Sequence, residues 1–485
     1  MGENRKTLGK ALKPHWVWAI ALGSSIGWGA FVQPVTWMET AGPLGVMLGF
    51  LIGALLMVII AVSYGFLIKE YPVSGGEFAY AYIGFGRTHA FFGGWFLTLG
   101  YICIVALNAS AFALMFKFIS PTLMNQIYLY EVAGWNVYMT EVLVATISLL
   151  LFAYFNIRGA ETSGRLQFIF CLVMIGSVVV LALLMGYSPQ ASISNMNPLF
   201  SPQHTTLAAV LSIVAIAPWA FVGFDNVPQV AEEFNFSSQK AFRLIIFALL
   251  SAAALYILMI YVTAIAQPWL QLAGEGHIWG TGEAVKTALG SFGMILLIVA
   301  LSMGIFTGLN GFIVSASRLL FGMSRAKVLP KAFSKLHSKY NTPYISILFT
   351  VLIALSAPWF GRAALLWVVD MSSIGVSIAY FYTCFTAYKL FGWSHKDTKA
   401  ISIAPIKKII ALLGSILSLC FIALLLIPAS PAFLGVESRI SLLIWTIIGL
   451  IFYLIKRREF NKIPEEEMRF LVLGEKHTNE NIDKG

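Results

Sequence analysis

Apolar stretches of about 20 residues recur along the whole chain and constrain its fold more than any other feature, because that length crosses a bilayer as an α-helix. Of the 485 residues, 59% are hydrophobic and 11% are charged, and the mean hydropathy is +0.82. Soluble proteins carry roughly 25% charged residues. A β-barrel would show short segments of alternating hydrophobicity instead. The sequence therefore predicts an all-α polytopic membrane protein.

We predict twelve transmembrane helices from these stretches. They span approximately residues 16–36, 43–68, 90–118, 138–156, 165–187, 207–231, 242–266, 291–321, 343–360, 364–388, 406–427 and 439–455. Several are longer than a perpendicular helix requires, which allows them to tilt.

Lysine and arginine are distributed unequally between the two sides of these spans. With a cytoplasmic N-terminus, 28 of the 32 basic residues fall in cytoplasmic segments. The four others are Lys117, Lys286, Arg362 and Arg439. The positive-inside rule then predicts a multi-pass protein of the plasma (inner) membrane with both termini cytoplasmic. The net charge of +10 is explained by this topology, so no nucleic-acid partner is expected.

No segment outside the spans is long enough for a soluble catalytic domain, and the tail after the last span has only 30 residues. The four cysteines lie in apolar runs without the paired spacing of a disulfide or zinc site. The seven histidines lie at span edges or in loops. We therefore expect no enzyme activity, no cofactor and no metal site.

Two spans contain residues that interrupt helices. Residues 21–34 read ALGSSIGWGAFVQP, and the span 207–231 contains Pro218, Gly223, Asp225 and Pro228. Unwound backbone at bilayer depth is tolerated only where it lines a cavity or is buried in protein. Interrupted spans at corresponding positions, five helices apart, are typical of a transporter's substrate site. The alternative is that the glycines only allow close helix packing.

An interrupted helix offers both partners that a zwitterion needs. The N-terminus of a half-helix presents amides and partial positive charge to a carboxylate. Freed carbonyl oxygens accept hydrogen bonds from an ammonium group. The pattern therefore favours an amino acid as the ligand.

Four motifs in order resemble the amino acid–polyamine–organocation (APC) superfamily, bacterial amino acid permease type. The first-helix signature resembles residues 23–31, and the sixth-helix signature resembles 221–225 with Glu232 and Glu233. Residues 72–77 with 93–95, and residues 317–343, are similar to two further motifs.

The resemblance implies a leucine-transporter-like fold of five-plus-five inverted repeats with discontinuous helices 1 and 6. The implied units are a cytoplasmic N-terminus (1–15), the first repeat (16–187), the second repeat (207–388), two further spans (406–455) and a cytoplasmic tail (456–485). The implied carboxylate site comprises Ser24, Ser25, Ile26, Gly27 and Gly29. The implied contacts to the amine and the substrate body come from Pro218, Trp219, Ala220, Phe221 and Gly223.

Two positions depart from the family pattern. Trp28 stands where the family often has a small residue, and it either lines the pocket or packs outward. Met174 stands where many proton-coupled members have a lysine, so that coupling route is in doubt here.

Polar residues on other spans complete the candidate site. Tyr101 and Asn108 lie two helical turns apart on one face, and Thr307 and Asn310 also share a face. We take Tyr101, Asn108 and Asn310 as candidate substrate contacts, with helix–helix hydrogen bonds as the alternative.

Asp225 is the leading candidate for ion coupling, because it is the one acid close to a helix break. Its alternative is a cap on the helix that follows it. Glu77 is a weaker candidate, more typical of a cap or a surface acid. The pair Glu232–Glu233 is either solvated or forms a gate with Arg318 or Lys13.

The sequence thus predicts a secondary active transporter that moves an amino acid or small organic amine by alternating access, with proton coupling or exchange. One alternative is a sodium-coupled carrier of the same fold, with Thr307 or Ser315 at the sodium site. The other is a nutrient sensor that does not transport. The expected partners are the small-molecule substrate and membrane lipid, and the expected state is a monomer or weak homodimer.

Overall fold

The computed structural model describes residues 5–361, 363–391, 404–428, 430 and 433–475. Arg362 and parts of the predicted terminal segments 1–15 and 456–485 lie outside these residues. Nine helices within the described part of the chain are long and apolar enough to cross a membrane. These helices confirm the prediction of an all-α polytopic membrane protein.

The described residues of the first half of the chain form nine α-helices and one hairpin. The helices are α1 (Pro14–Ser25), α2 (Gly29–Val32), α3 (Pro34–Ala41), α4 (Pro43–Glu70), α5 (Gly76–Phe85), α6 (Arg87–Ile119), α7 (Pro121–Met124), α8 (Met139–Ile157) and α9 (Ala160–Gly186). The antiparallel strands β1 (Tyr128–Val132) and β2 (Trp135–Tyr138) precede α8.

The part of the second half that the structure describes forms eleven α-helices. They are α10 (Thr206–Ala215), α11 (Ala217–Ala220), α12 (Asn226–Gln229), α13 (Ala241–Ala266), α14 (Trp269–Gly274), α15 (Gly280–Arg325), α16 (Tyr344–Ala354), α17 (Ala363–Leu390), α18 (Ala404–Leu426), α19 (Val436–Lys462) and α20 (Glu465–Leu473). Within α15, Gly290 has non-helical torsion angles and kinks the helix.

The long helices pack around α6 and α15. Helix α6 lies against α15 and α17, and α15 also lies against α9 and α1. Small residues permit these approaches, as at Gly375 on α17, where a Cβ atom would lie 2.4 Å from the Phe96 carbonyl oxygen of α6. Such contacts are typical of helix packing in membranes, where close van der Waals contact stabilises association. Helices α6 and α15 therefore form the centre against which the other long helices pack.

Both helix interruptions lie against this centre. Helix α1 ends at Ser25, Ile26 is extended, and α2 begins only at Gly29. In the second interruption α11 ends at Ala220, and residues 221–225 form turns before the short helix α12. The glycines and prolines therefore coincide with real breaks in the helices.

One end of the bundle is closed by ion pairs. We call it the basic end and define it by residues 5–13, the segment 326–342 and helix α20. The amides of Ala11 and Leu12 donate to the Glu233 carbonyl at 3.0 and 2.9 Å, which attaches the N-terminal segment to the chain after α12. Arg318 holds the buried Glu233 carboxylate through Nε at 2.8 Å and Nη2 at 3.2 Å.

The predicted pairing of Glu233 with Arg318 is confirmed, and the solvated alternative is wrong for this residue. Glu232 pairs instead with Arg325 at 2.8 Å and Arg5 at 3.4 Å. The Lys13 ammonium lies over the Trp16 ring, 5.1 Å from its centroid. Both acids of the pair therefore hold the basic end closed.

We predict that Glu233→Gln destabilises the protein by about 3–5 kcal/mol, because it leaves the buried Arg318 charge unpaired. The matched control is Glu161→Gln, which removes an exposed pair with Arg165 at 3.3 Å and should leave stability unchanged. Thermal unfolding of the detergent-solubilised protein, followed by tryptophan fluorescence, measures both. Equal melting temperatures for the two variants would show that the buried pair does not stabilise the fold.

Candidate functional site

A small cavity lies where the two interruptions meet. Its volume is about 20 Å³, which holds about one water molecule and is too small for an amino acid. The cavity is lined by Ser24, Ser25, Gly27, Trp28, Gly29, Ile104, Leu107, Asn108, Trp219, Ala220, Val222 and Tyr256. The structure therefore shows a closed arrangement around its centre.

Eight of the predicted substrate contacts line this cavity. They are Ser24, Ser25, Gly27, Trp28, Gly29, Asn108, Trp219 and Ala220. Six others lie outside its lining, namely Ile26, Tyr101, Pro218, Phe221, Gly223 and Asn310. The structure thus brings together residues of α1, α2, α6 and α11, and it separates Asn310 on α15 from them.

Three polar atoms among the lining residues have no hydrogen-bond partner in the described protein. They are Ser24 Oγ, the Trp28 indole nitrogen and Asn108 Oδ1, although Asn108 Nδ2 donates to the Ile104 carbonyl at 2.9 Å. A buried polar atom without a partner is costly, so these atoms mark a place for a ligand or water. Of the two orientations open for Trp28, the structure has the inward one.

Tyr256 on α13 joins the two interrupted segments. Its hydroxyl lies 3.0 Å from the Ala220 carbonyl and 3.3 Å from the Ser25 carbonyl. Ser25 Oγ lies 2.8 Å from the Ala21 carbonyl and 3.1 Å from the Phe221 carbonyl. These hydroxyls satisfy carbonyls that the helix ends leave free. The sequence analysis missed Tyr256, and its only signal was a hydroxyl in an apolar span.

Gly223 brings the two unwound segments into direct backbone contact. Its φ is +135°, and an added Cβ would lie 2.5 Å from the Ser24 carbonyl carbon and the Ser25 nitrogen. Only glycine fits such a conformation and such a contact. Gly223 therefore supports the cavity wall without lining the cavity.

Asp225 lies between the cavity and the basic end. Its Oδ1 accepts from the Gly223 amide at 2.6 Å, and its Oδ2 accepts from the Tyr101 hydroxyl at 2.9 Å. The alternative role, a cap on the following helix, is not observed, since the side chain makes no capping bond to α12. The capping alternative is therefore wrong, and Asp225 instead fixes the turn of which Gly223 is part.

A second carboxyl group, that of Glu77, lies beside helix α12. Glu77 is 2% exposed, and its Oε2 accepts from Nε2 of Gln229. Its Oε1 has no partner in the described protein. Tyr64 and Tyr101 lie beside both Glu77 and Asp225. The interpretation of Glu77 as a surface acid is wrong, and its glycine-rich surroundings in the sequence gave no signal of burial.

Asn310 belongs to a separate polar cluster between α8, α9 and α15. Its Nδ2 donates to Gln167 Oε1 at 2.7 Å, and its Oδ1 accepts from Asn156 at 3.0 Å and Ser163 at 2.9 Å. Gln167 also donates to the Ala19 carbonyl of α1 at 3.2 Å. Asn310 therefore makes hydrogen bonds between helices, which is the alternative to a substrate contact.

The hydroxyls proposed for sodium bind within their own helix. Thr307 donates to the Gly304 carbonyl at 2.9 Å, and Ser315 donates to the Gly311 carbonyl at 3.0 Å. Met174 on α9 is fully buried.

The sequence profile of the amino acid permease family matches residues 16–453. The chain belongs to this family. The permease is 26% identical over 467 residues to the branched-chain amino acid permease BcaP of Bacillus subtilis, with 96% of each chain covered. It is 24% identical over 473 residues to the methylthioribose transporter of the same organism, covering 94% of this chain and 95% of that one.

A third relative is the aromatic amino acid transport protein AroP of Escherichia coli, 26% identical over 376 residues and covering 73% of this chain and 75% of that one. The predicted resemblance to APC superfamily permeases is confirmed. The permease is a transporter of amino acids or small organic molecules and not an enzyme.

We predict that Gly27→Leu lowers ligand affinity at least about tenfold, because the leucine side chain fills the cavity. Gly27→Ala is the matched control, since its Cβ would meet only Asn108 Oδ1, at 3.9 Å. Ligand-induced thermal shifts of the purified variants measure the affinity, and their ligand-free melting temperatures report folding. Equal affinities for the leucine and alanine variants would place the binding site elsewhere.

Proposed function

We propose that the permease is a secondary active transporter for a neutral amino acid with an apolar side chain. The observation that carries this proposal is the cavity lining, which joins both interrupted segments and contains no charged side chain. A charged substrate side chain would lose its hydration there without gaining an ion pair. The names of the branched-chain and aromatic relatives support the same substrate class.

The unpartnered atoms of the cavity suit the two ends of a zwitterion. The Trp28 indole N–H and the Ser24 hydroxyl can donate to a carboxylate, whereas Asn108 Oδ1 can accept from an ammonium group. Ile104, Leu107 and Val222 offer apolar contact to the side chain. The cavity must widen to admit any such molecule, so substrate binding and a change of conformation are coupled.

The proposed architecture has twelve spans, with inverted repeats at 16–187 and 207–388 followed by the two spans of 406–455. The interruptions at 26–28 and 221–225 support it, because they lie five spans apart at corresponding positions. We propose that the basic end faces the cytoplasm, as the distribution of basic residues favours. Alternating access then requires the Glu233–Arg318 pair to separate.

We propose that Asp225, with Glu77 beside it, couples transport to protons. Arg318 and Arg325 lie on α15 and are bound by Glu233 and Glu232, whereas hydroxyl and amide groups contact the two buried carboxyl groups. A buried charge without a countercharge is costly, and a proton taken up by either carboxyl group removes that cost. Protonation of Asp225 would weaken its bond to the Gly223 amide and release the turn that abuts Ser24 and Ser25.

The test is uptake by purified permease in proteoliposomes. We predict that radiolabelled leucine or phenylalanine accumulates when the lumen is more alkaline than the medium, and that either amino acid competes with the other. Methylthioribose is included as a competitor because of the relative of that name. Uptake driven only by a sodium gradient would favour the sodium-coupled alternative, and binding without uptake would favour the sensor.

Asp225→Asn separates the coupling proposal from the transport proposal. The amide keeps the size of the side chain but does not titrate near neutral pH. The variant should bind and exchange substrate, lose accumulation against a gradient, and show a flattened pH profile of uptake. Parent-like accumulation and pH dependence would exclude Asp225 as the coupling site.

A further inference from the structure

Four chain segments form a pocket at the basic end, and none of its lining residues lines the central cavity. The pocket has a volume of about 500 Å³ and is lined by residues of the N-terminal segment, the end of α15 with the segment after it, α19 and α20. Its lining contains six basic side chains and one acidic side chain. These are Arg5, Lys6, Arg325, Lys327, Lys331 and Lys456, with Glu459 as the acid.

Carboxylates among the described residues do not neutralise all of the positive charge of this pocket. Lys456 pairs with Glu459 at 2.8 Å, and Lys327 pairs with Glu467 at 2.7 Å. Lys6 donates to the Ser334 carbonyl at 3.1 Å. A carbonyl is neutral, so this hydrogen bond does not neutralise the positive charge of Lys6. Like charges held together in a concave surface raise the local concentration of anions.

Two arginines in the lining repel each other. Arg5 and Arg325 share one carboxylate, that of Glu232. Burial and the neighbouring charge of Arg325 lower the pKa of Arg5 to about 10, although Glu232 opposes them. Arg325 is 6% exposed, and its Nε has no hydrogen-bond partner in the described protein. Two guanidinium groups therefore share one carboxylate, and Arg325 keeps a free donor.

We propose that this pocket binds a phosphate-bearing anion. Phosphate offers several charged acceptor oxygens, and arginine forks and lysine ammonium groups are its usual partners in proteins. The volume accommodates a headgroup or a small polyphosphate. The source is either a soluble phosphate compound or the headgroup of an anionic lipid. Basic pockets between membrane helices on the cytoplasmic side bind lipid headgroups, and arginine and lysine side chains bind the phosphate groups of soluble compounds.

Occupancy of this pocket favours the closed basic end. Glu232 accepts from Arg5, Arg325 and the amides of Leu8 and Ser74, so it joins the N-terminal segment to α15 and to the loop before α5. An anion beside Arg5 and Arg325 offsets their repulsion and stabilises this arrangement. The site therefore provides a means of regulating the opening of the basic end from outside the substrate cavity.

The test compares the full-length permease with Lys6→Gln/Lys331→Gln, two exposed lining positions outside the transport site. Inorganic tripolyphosphate is the soluble probe, read as a saturable rise in melting temperature in detergent. Nanodiscs of phosphatidylcholine with and without phosphatidylglycerol are the lipid probe, read in the same way. Lys240→Gln, an exposed lysine outside the pocket lining, is the control.

We expect the double variant to weaken the response about tenfold or more, and Lys240→Gln to leave it unchanged. A response to tripolyphosphate identifies a soluble ligand, and a response confined to phosphatidylglycerol nanodiscs identifies a lipid headgroup. The proposal is overturned if neither probe stabilises the parent, or if the double variant and the control respond alike. Because the readout is stability, the result does not depend on whether the transport proposal holds.

Discussion

Backbone amides and carbonyls that leave a helix inside a membrane protein must find partners there, and much of this structure serves that requirement. The segments 26–28 and 221–225 unwind side by side, and Gly223 lets their backbones touch. Ser25 and Tyr256 supply hydroxyls to the carbonyls at the helix ends. Among the buried polar side-chain groups without a partner in the described residues, those of Ser24, Trp28 and Asn108 line the cavity. A ligand in the cavity can bind these three groups.

From this centre the polar groups continue toward the basic end in layers. The cavity comes first, then Asp225 and Glu77 with their tyrosines, and then the buried pair of Glu233 and Arg318. Tyr101 and Asn108 both lie on α6, and they belong to successive layers of these polar groups. Since Asp225 binds the amide of Gly223, a change in its charge acts on the cavity wall. This connection is the physical basis of the coupling that we propose.

Glycine and proline spacing in the sequence located both interruptions, because these residues act on the backbone locally. The residues that line the cavity were harder to predict, because the lining depends on how each helix is rotated about its own axis. Tyr101 and Asn108 share a face of α6, yet only Asn108 reaches the cavity. Asn310 is polar and central in sequence, but it bonds to Gln167 and Asn156. Glu77 follows two glycines and reads as a loop acid, whereas tertiary packing buries it.

The central claim is that substrate binds where the two interrupted helices meet. Maleimide labelling of Gly27→Cys tests it directly, in a Cys420→Ser background because the other three cysteines are buried. The account predicts that saturating substrate slows labelling at position 27 and leaves labelling of an exposed Thr122→Cys control unchanged. Unchanged labelling at position 27, under conditions where substrate raises the melting temperature of the same protein, would contradict it.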